Sequence, residues 1–495
     1  MSRIQTSKMP PLAARQGADA TAQPEAEPRA RVAGSVWLWA LLAVALARGA
    51  LFVFVVPPWQ HPDEPTHFEH IRLIAETGRL PEQRFVSLPL RREIAASMLA
   101  HGFWKGIEQP VLDDASLSTA GLSPIGIYTL TQPRLYYIVA AIWLWPWLGL
   151  PVEAQLVAVR LLGVLLNLSV VACGYAAARL VFPRRPVLAA GAAGFLVFQP
   201  ELTDIMSAAN NDALINALMA GFFLAGAVLY RRGWRWKAAA AGLLALAGGL
   251  VTKTTVVIPI LSLPLAVVCY PWRRRTALIA GVAVALLVAA VLALAAAFFV
   301  AAPDSLRREA QLSIGRYFRV NLTDTWQAMF TGTGAVTYRA ATNVVFRSFW
   351  VGFGWRHILL DPGWYWLPGL AMLGAGIGLA ALAVRRVVAV AQGRAAPEAA
   401  RTAGFLLYCA GATLVAWVIS IVRSQAVQSL NRYHSHGRYA FVAIVPFALL
   451  LTAGLLGWAP ERWQRRALWI YLAGLIAFDA LAFWGYLVPF YYFSS

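Results

Sequence analysis

Long apolar runs separated by short polar connections dominate the pattern of this chain. Many of the runs reach about 20 residues, which is enough for a helix to cross a bilayer. Their apolar residues are continuous and do not alternate with polar ones, unlike those of a membrane β-barrel. The pattern therefore predicts an all-α polytopic membrane protein.

Twelve apolar segments can be placed along the chain. They cover residues 35–56, 135–150, 154–182, 186–206, 207–230, 238–252, 254–271, 276–302, 363–384, 402–423, 438–458 and 467–490. The first is longer than the apolar core of a signal peptide, so we expect a retained signal anchor. Residues 1–34 are polar and rich in Pro and Ala, and are predicted to form a disordered tail. Residues 35–495 then form one transmembrane domain.

Two long polar stretches, 57–134 and 303–362, are predicted to be large loops on the outer side. The first has a helix signature that begins at Glu64 and Pro65 and ends at Gly78. Apolar residues recur within it at helical spacing, and a second such helix is expected over Leu88 to Trp104. Both are predicted to be amphipathic helices on the bilayer surface.

Composition and charge support this assignment. Hydrophobic residues make up 59% of the chain, charged residues only 13%, and the net charge is +19. The positive residues cluster in short connections, as at Arg231–Lys237 and Arg273–Arg275, which marks those connections as cytoplasmic. The first long loop instead holds 9 of the 23 acidic residues. We therefore expect a cytoplasmic N-terminus and no nucleic-acid partner, although the charge pattern leaves the topology of 135–206 open.

The stretch PPWQHPDEPTHF, from Pro57 to Phe68, places acids and histidines at the predicted membrane rim. Asp63 and Glu64 are candidates for a catalytic base and its assistant. With His67 they are also candidate ligands for a divalent cation such as Mg²⁺ or Mn²⁺. The alternative is a helix start whose acids favour the helix dipole. The chain has no HExxH motif and one Glu-x-x-His motif, which disfavours zinc-protease and di-iron sites.

Five further motifs contain polar or aromatic residues at predicted membrane ends. Candidate phosphate ligands are basic, and candidate substrate-lining residues are polar or aromatic. The phosphate candidates are Lys253, Arg438, Arg134 and Arg347; the lining candidates are His67, Gln132, Tyr136, Tyr137, Asn210, Asn211, Asp212, Trp350, Trp355 and Tyr439. The alternatives are an interfacial aromatic belt for the tyrosines and a snorkelling anchor for Lys253.

Six motifs in this order resemble the GT-C superfamily of polyprenyl-phosphate-dependent membrane glycosyltransferases. They are PPWQHPDEPTHF, TQPRLYY, SAANNDALIN, VTKTT, SFWVGFGW and HGRYAFVAIVP. Within that superfamily they resemble the bacterial domain of unknown function 2142 family. Arg134 and His436 depart from the pattern, which has proline and glutamine there.

The resemblance implies a bacterial inner-membrane enzyme with a GT-C-like fold of about 11–13 transmembrane helices and an active site in the first outer loop. A carboxylate at the start of that loop, here Asp63, would deprotonate the acceptor with Glu64 assisting. Lys253 and Arg438 would hold the phosphate of a polyprenyl-phosphate-linked sugar. The acceptor would be an envelope glycan or lipid, and some members of the superfamily use a divalent cation. Alternatives are a transporter or flippase for a lipid-linked glycan, or an envelope glycan ligase or polymerase.

Overall fold

The structure is a computed structural model that describes residues 26–81, 86–104, 109, 111–118, 129, 132–270, 333–394, 397–422 and 436–493. The predicted segment 276–302 and residues 303–332 of the second loop lie outside these residues. So do residues 1–25 of the predicted tail, and the first helix begins at Ala26.

The described chain is helical throughout its length, with short connections. The helices are α1 (Ala26–Val55), α2 (Glu64–Thr77), α3 (Leu88–Ala100), α4 (Asp114–Ser118), α5 (Leu135–Leu144), α6 (Val152–Val181), α7 (Pro186–Phe198), α8 (Pro200–Met206), α9 (Asp212–Arg232), α10 (Trp236–Leu250), α11 (Val257–Val268), α12 (Thr333–Trp350), α13 (Phe353–Arg356), α14 (Trp366–Ala391), α15 (Pro397–Val422), α16 (Ile444–Leu456), α17 (Glu461–Ala482) and α18 (Val488–Tyr492). Short 3₁₀ turns cover Trp145–Trp147, Thr254–Val256, Pro362–Tyr365 and Gly437–Ala443, and a π-turn covers Phe483–Leu487.

Seven of the described helices are long and apolar enough to cross a membrane, which confirms an α-helical polytopic membrane protein. They are α1, α6, α9, α15, and the helical stretches that contain α14, α16 and α17. Helices α5, α7, α10 and α11 are apolar but shorter. The expected total of about 11–13 spans stays a prediction, because residues 271–332 are outside the described part.

Helix α5 pairs with the start of α6 instead of crossing on its own. The Trp143 indole N–H donates to the Ala158 carbonyl at 2.7 Å, and the Gln155 amide donates to the Leu150 carbonyl at 2.6 Å. The chain therefore reverses between the two helices. With the 3₁₀ turn after it, α5 is about 20 Å long, too short for a hydrocarbon core of about 30 Å. Within 135–182, α6 is therefore the described helix that is long and apolar enough to cross a membrane.

Helix α2 forms where the sequence predicts it and ends at Gly78, whose φ is 63° and whose N–H donates to the Ile74 carbonyl at 2.9 Å. It does not lie exposed on a surface, since most of its residues are buried. Helix α5 packs against it, and a buried ion pair of 2.7 Å between Glu69 and Arg91 joins it to α3. Its amphipathic pattern therefore reflects burial against neighbouring helices.

The stretch Gly437–Leu456, which contains α16, is the most buried of the seven candidate spans. Of its most apolar 18 residues 83% are buried, against 17% for the stretch that contains α14.

A charged contact joins spans that are distant in sequence. The guanidinium of Arg48 on α1 donates to Asp479 on α17 at 2.8 Å and to the Thr203 hydroxyl on α8 at 2.7 Å. Isolated charges in a membrane interior are costly, so this pairing ties α1, α8 and α17 together.

Candidate active site

Four charged side chains from distant parts of the sequence meet at the end of the bundle where α1 ends and α9 begins. Asp63 and Arg438 form an ion pair of 2.7 Å, and so do Asp212 and Lys253. Arg438 Nε lies 3.8 Å from the same carboxylate oxygen of Asp212, which links the two pairs. We call these four residues the charged network. It has two positive and two negative side chains.

Asp63 is the most accessible carboxylate of the charged network. Its side chain is 26% exposed, whereas that of Asp212 is 3% exposed. The backbone of Asp63 is left-handed, with φ 63° and ψ 8°, at the residue that precedes α2. Such backbone is uncommon for residues other than glycine and concentrates at functional sites. A partly exposed carboxylate on a left-handed turn is thus held beside a guanidinium.

Glu64, the next residue, is fully buried and pairs with a residue outside the charged network. Its two carboxylate oxygens accept hydrogen bonds from Arg160 Nε at 2.8 Å and Nη2 at 2.6 Å. The N–H groups of Trp59 and Ala209 also donate to it, at 3.0 and 3.1 Å. Burial alone would raise the pKa of Glu64, but the charge and hydrogen bonds of Arg160 outweigh it and the pKa is lowered. Glu64 is therefore an ionised anchor that fixes the turn carrying Asp63.

The residues expected to bind a divalent cation do not fit one. Glu64 is occupied by Arg160, Asp63 is paired with Arg438, and His67 Nδ1 is hydrogen-bonded to the Tyr137 hydroxyl at 2.9 Å. Across the described residues, no three His, Cys, Asp or Glu side chains converge as metal ligands. The three residues are neighbours in sequence but engage different partners, because α2 turns their side chains in different directions.

The turn before α9 places Asp212 at a helix N-terminus. Asn210 Oδ1 accepts from the Asp212 N–H at 2.9 Å, and the Asn210 amide donates to the Ile205 carbonyl at 3.2 Å. The Asn211 amide donates to Gln132 Oε1, which ties this turn to the residues before α5. The positive end of the α9 dipole thus faces the charged network and favours negative groups there.

Lys253 sits in a turn between α10 and α11, next to the start of α5. The Leu135 N–H donates to the Val251 carbonyl at 2.8 Å, which brings the exposed Arg134 to the same side. Burial lowers the pKa of Lys253, and the negative charge of Asp212 only partly offsets this. The ammonium group is therefore poorly hydrated and suited to bind an anion.

An aromatic wall of His67, His70, Tyr136 and Tyr137 backs the site. The His70 and Tyr137 rings stack at 3.9 Å between centroids, and the His67 and Tyr137 rings at 5.7 Å. Burial lowers the pKa of His67 to about 4 and that of His70 to about 3, so both are neutral at pH 7. Tyr136 and Tyr137 are buried beneath α2, not in an exposed interfacial belt.

Arg438 is fixed by the backbone on either side of it. Its N–H donates to His436 Nδ1 at 3.1 Å, and the Gly437 N–H donates to the Ser348 hydroxyl at 2.8 Å. A Cβ at position 437 would lie 2.2 Å from the Phe349 backbone nitrogen, so only glycine permits this approach. The Arg438 guanidinium also lies 5.6 Å from the centre of the Tyr439 ring, within cation–π range.

Arg347, Trp350 and Trp355 make their contacts with residues outside the charged network. Arg347 donates to the Leu360 carbonyl at 3.0 Å and lies over the Tyr365 ring, so it secures the chain after α13. Trp350 is buried against Phe195, Phe447 and Phe478 in the bundle core. Trp355 is half-buried and packs edge-on against Phe103.

Sequence reasoning did not single out Arg160, Glu201 or Asp204, which all lie close to the site. Arg160 is an arginine inside an apolar helix, and Glu201 and Asp204 are acids three positions apart in an apolar stretch. Ionisable residues within such segments are rare and usually functional or paired. That signal marks all three, but it does not indicate what each one contacts.

No protein-family model matches the chain, and no curated protein matches it significantly.

Proposed function

We propose that this protein is a membrane glycosyltransferase that uses a sugar linked to a polyprenyl phosphate. The observation that carries the proposal is the charged network, in which an accessible carboxylate lies beside two largely buried cations at one end of a helical bundle. Cations suit the phosphate, the carboxylate suits a hydroxyl acceptor, and the surrounding apolar helices suit a prenyl chain. The six ordered sequence motifs support the same class.

In the proposed reaction Asp63 takes the proton of an acceptor hydroxyl group. The acceptor oxygen forms a bond to the anomeric carbon as the bond from that carbon to the phosphate oxygen breaks. The electron pair of the broken bond leaves with the phosphate, giving polyprenyl phosphate and a glycoside of inverted configuration. Lys253 and Arg438 stabilise the negative charge that grows on the phosphate. The buried aromatic wall and Glu64 hold the base and the phosphate-binding side chains in position.

The Asp63–Arg438 pair also suggests an order of events. Arg438 is paired with Asp63, and a phosphate bound at the charged network would compete with that carboxylate for the guanidinium. Arginine binds carboxylates and phosphates with the same planar set of donors. Donor binding would then free Asp63 to accept the acceptor proton, so the proposal places the lipid-linked donor first. The site would open to the outer side of a bacterial cytoplasmic membrane, with an envelope glycan or lipid as the acceptor.

The proposal is tested with the purified full-length protein in lipid nanodiscs. A panel of radiolabelled polyprenyl-phosphate pentoses and hexoses is offered with an envelope extract as acceptor, and released polyprenyl phosphate is measured. Asp63→Asn should lower kcat by about 10²- to 10⁴-fold, the typical contribution of a general base. Asparagine also tolerates the left-handed backbone and keeps an oxygen that can accept from Arg438, so the activity of the folded variant can be compared with that of the wild type.

The matched control is Glu76→Gln, which removes an exposed carboxylate of α2. An Asp63→Asn enzyme that transfers sugar at the wild-type rate would exclude Asp63 as the base. Movement of label across a vesicle bilayer without release of polyprenyl phosphate would favour a transporter.

A further inference from the structure

Two histidines occupy equivalent positions beneath the Asp63–Arg438 ion pair. His61 precedes Asp63 by two residues, and His436 precedes Arg438 by two residues. Each histidine faces an acid on the short helix α8: His61 Nδ1 lies 3.2 Å from Asp204 Oδ1, and His436 Nε2 lies 3.6 Å from Glu201 Oε1. The segments that carry Asp63 and Arg438 therefore both contact α8. We call His61, Glu201, Asp204 and His436 the α8 cluster.

The α8 cluster is buried, with Glu201, Asp204 and His61 all 0% exposed. Helix α8 holds the two acids on one face, because residues three apart are neighbours on a helix. The Gly352 N–H donates to Glu201 Oε2 at 2.7 Å, which ties the end of α12 to the cluster. His436 accepts the Arg438 N–H through Nδ1, so in its neutral form Nε2 carries the proton and points at Glu201.

Two carboxylates three positions apart on one short buried helix do not both ionise at low cost. Burial raises the pKa of Glu201 well above its usual value, and the negative charge of Asp204 raises it further. The Gly352 N–H and Arg438 act in the opposite direction but do not reverse the shift. Burial also lowers the pKa of His436 well below its usual value, so His436 contributes no charge of its own to offset the acids.

Charged and titratable side chains from several segments lie around α8. They are Arg48 of α1, His61 of the following loop, Arg160 of α6, Asp212 of α9, Tyr365 after α13, His436 and Arg438 before α16, and Tyr491 of α18. Arg48 is committed to Asp479, and Arg160 to Glu64. The remaining cation, Arg438, is engaged by Asp63 and Asp212.

We propose that the α8 cluster positions Asp63 and Arg438 for the transfer reaction, and that it does so with a proton held on Glu201. The positioning role rests on the proposed function, whereas the proton on Glu201 does not. The neutral carboxyl group leaves one negative charge on α8, at Asp204, and lets Glu201 stay beside His436 while Asp204 faces His61. Ionisation would place a second negative charge beside Asp204, push the two segments apart and misplace the base relative to the phosphate-binding arginine.

Protonation of Glu201 is tested without any substrate, by comparing the pH dependence of stability of the wild type and of Glu201→Gln. The glutamine mimics the protonated carboxyl group. A folded-state pKa above the unfolded value means that stability is full at low pH and declines as pH rises toward the raised pKa. The wild-type protein should therefore lose stability relative to Glu201→Gln above its unfolded pKa of about 4.3. The change is about tenfold in the unfolding equilibrium constant per pH unit. The exposed Glu76→Gln should show no such trend.

The positioning role is tested by the pH profile of sugar transfer. Glu201→Gln should keep kcat near wild type at pH 7 and lose the alkaline decline that ionisation of Glu201 causes in the wild type. Glu201→Leu should lower kcat more than it raises KM, since it removes the contact to the Gly352 N–H and to His436. His436→Gln keeps an acceptor for the Arg438 N–H and should retain more activity than His436→Leu.

Each outcome decides one part of the proposal. A stability difference between wild type and Glu201→Gln that does not change with pH would show that Glu201 is ionised, and would overturn the proton assignment. Glu201→Gln with the activity of Glu201→Leu would show that the charge itself is needed. If the wild type transfers no sugar, the proposed function is wrong. The stability comparison still decides whether Glu201 is protonated, because it needs no substrate.

Discussion

The buried ion pair between Glu64 and Arg160 is expected to stabilise the folded protein around the site. A double-mutant cycle measures the interaction energy of the pair. Arg160 donates two hydrogen bonds to Glu64 and three to the carbonyls of Val53, Val56 and Pro57, at 3.0, 2.7 and 2.9 Å. Arg160→Leu would leave a fully buried carboxylate with only two backbone donors. Breaking a buried ion pair by removing one partner costs about 3–5 kcal/mol. The same cost is expected for Glu64→Gln, which leaves the guanidinium unpaired.

The double variant Glu64→Gln/Arg160→Leu should cost much less than the sum of the two single changes, because no unpaired buried charge remains. Unfolding is followed with a thiol-reactive dye, since Cys409 is buried and Cys173 and Cys269 are half-buried. Because the pKa of Glu64 is lowered, its contribution is present above its unfolded pKa and is lost as pH falls through the folded value. The advantage of the wild type over Glu64→Gln should therefore shrink on acidification below about pH 4.

An Arg160→Leu protein that melts at the wild-type temperature would refute this reasoning, as would two single effects that simply add. Activity separates Glu64 from Asp63. For Glu64→Gln the loss of transfer should follow the loss of folded protein, whereas for Asp63→Asn the folded protein itself should be inactive.

Two further substitutions probe the phosphate side of the site. Lys253→Met should weaken the binding of a polyprenyl phosphate by about 1.5–3 kcal/mol, the contribution of a hydrogen bond to a charged group, whereas Lys253→Arg should retain most of the affinity. Calorimetry in detergent measures both affinities. An unchanged affinity of Lys253→Met would show that Lys253 does not bind the phosphate. Gly437→Ala places a Cβ 2.2 Å from the Phe349 nitrogen and should displace Arg438. Its transfer rate and melting temperature are compared with those of Gly474→Ala, where nothing lies within 4 Å of the added Cβ; equal behaviour of the two variants would contradict the close approach.

Local sequence patterns are sufficient for the membrane class and for most of the helices. Hydropathy and helical spacing depend on residues within one or two turns, so the spans and the bounds of α2 follow from them. Gly78 ends α2 as expected, because glycine accepts the left-handed backbone that closes a helix. The same local information also marks the motifs near Asp63, Asp212, Lys253 and Arg438 as polar sites at helix ends.

Which of these residues meet is a property of the tertiary structure. Asp63 and Arg438 are 375 positions apart and yet in contact, while Arg347, an equally good candidate by sequence, is bonded to Leu360. Asp63 and Glu64 are adjacent acids, but the left-handed turn leaves Asp63 partly exposed, whereas Glu64 is buried against Arg160 of α6. The sequence by itself determines a helical membrane protein with candidate polar ends. Only the packing of α1, α6, α8, α9 and the segment before α16 decides which charges pair, because those pairings depend on long-range contacts that no local pattern contains.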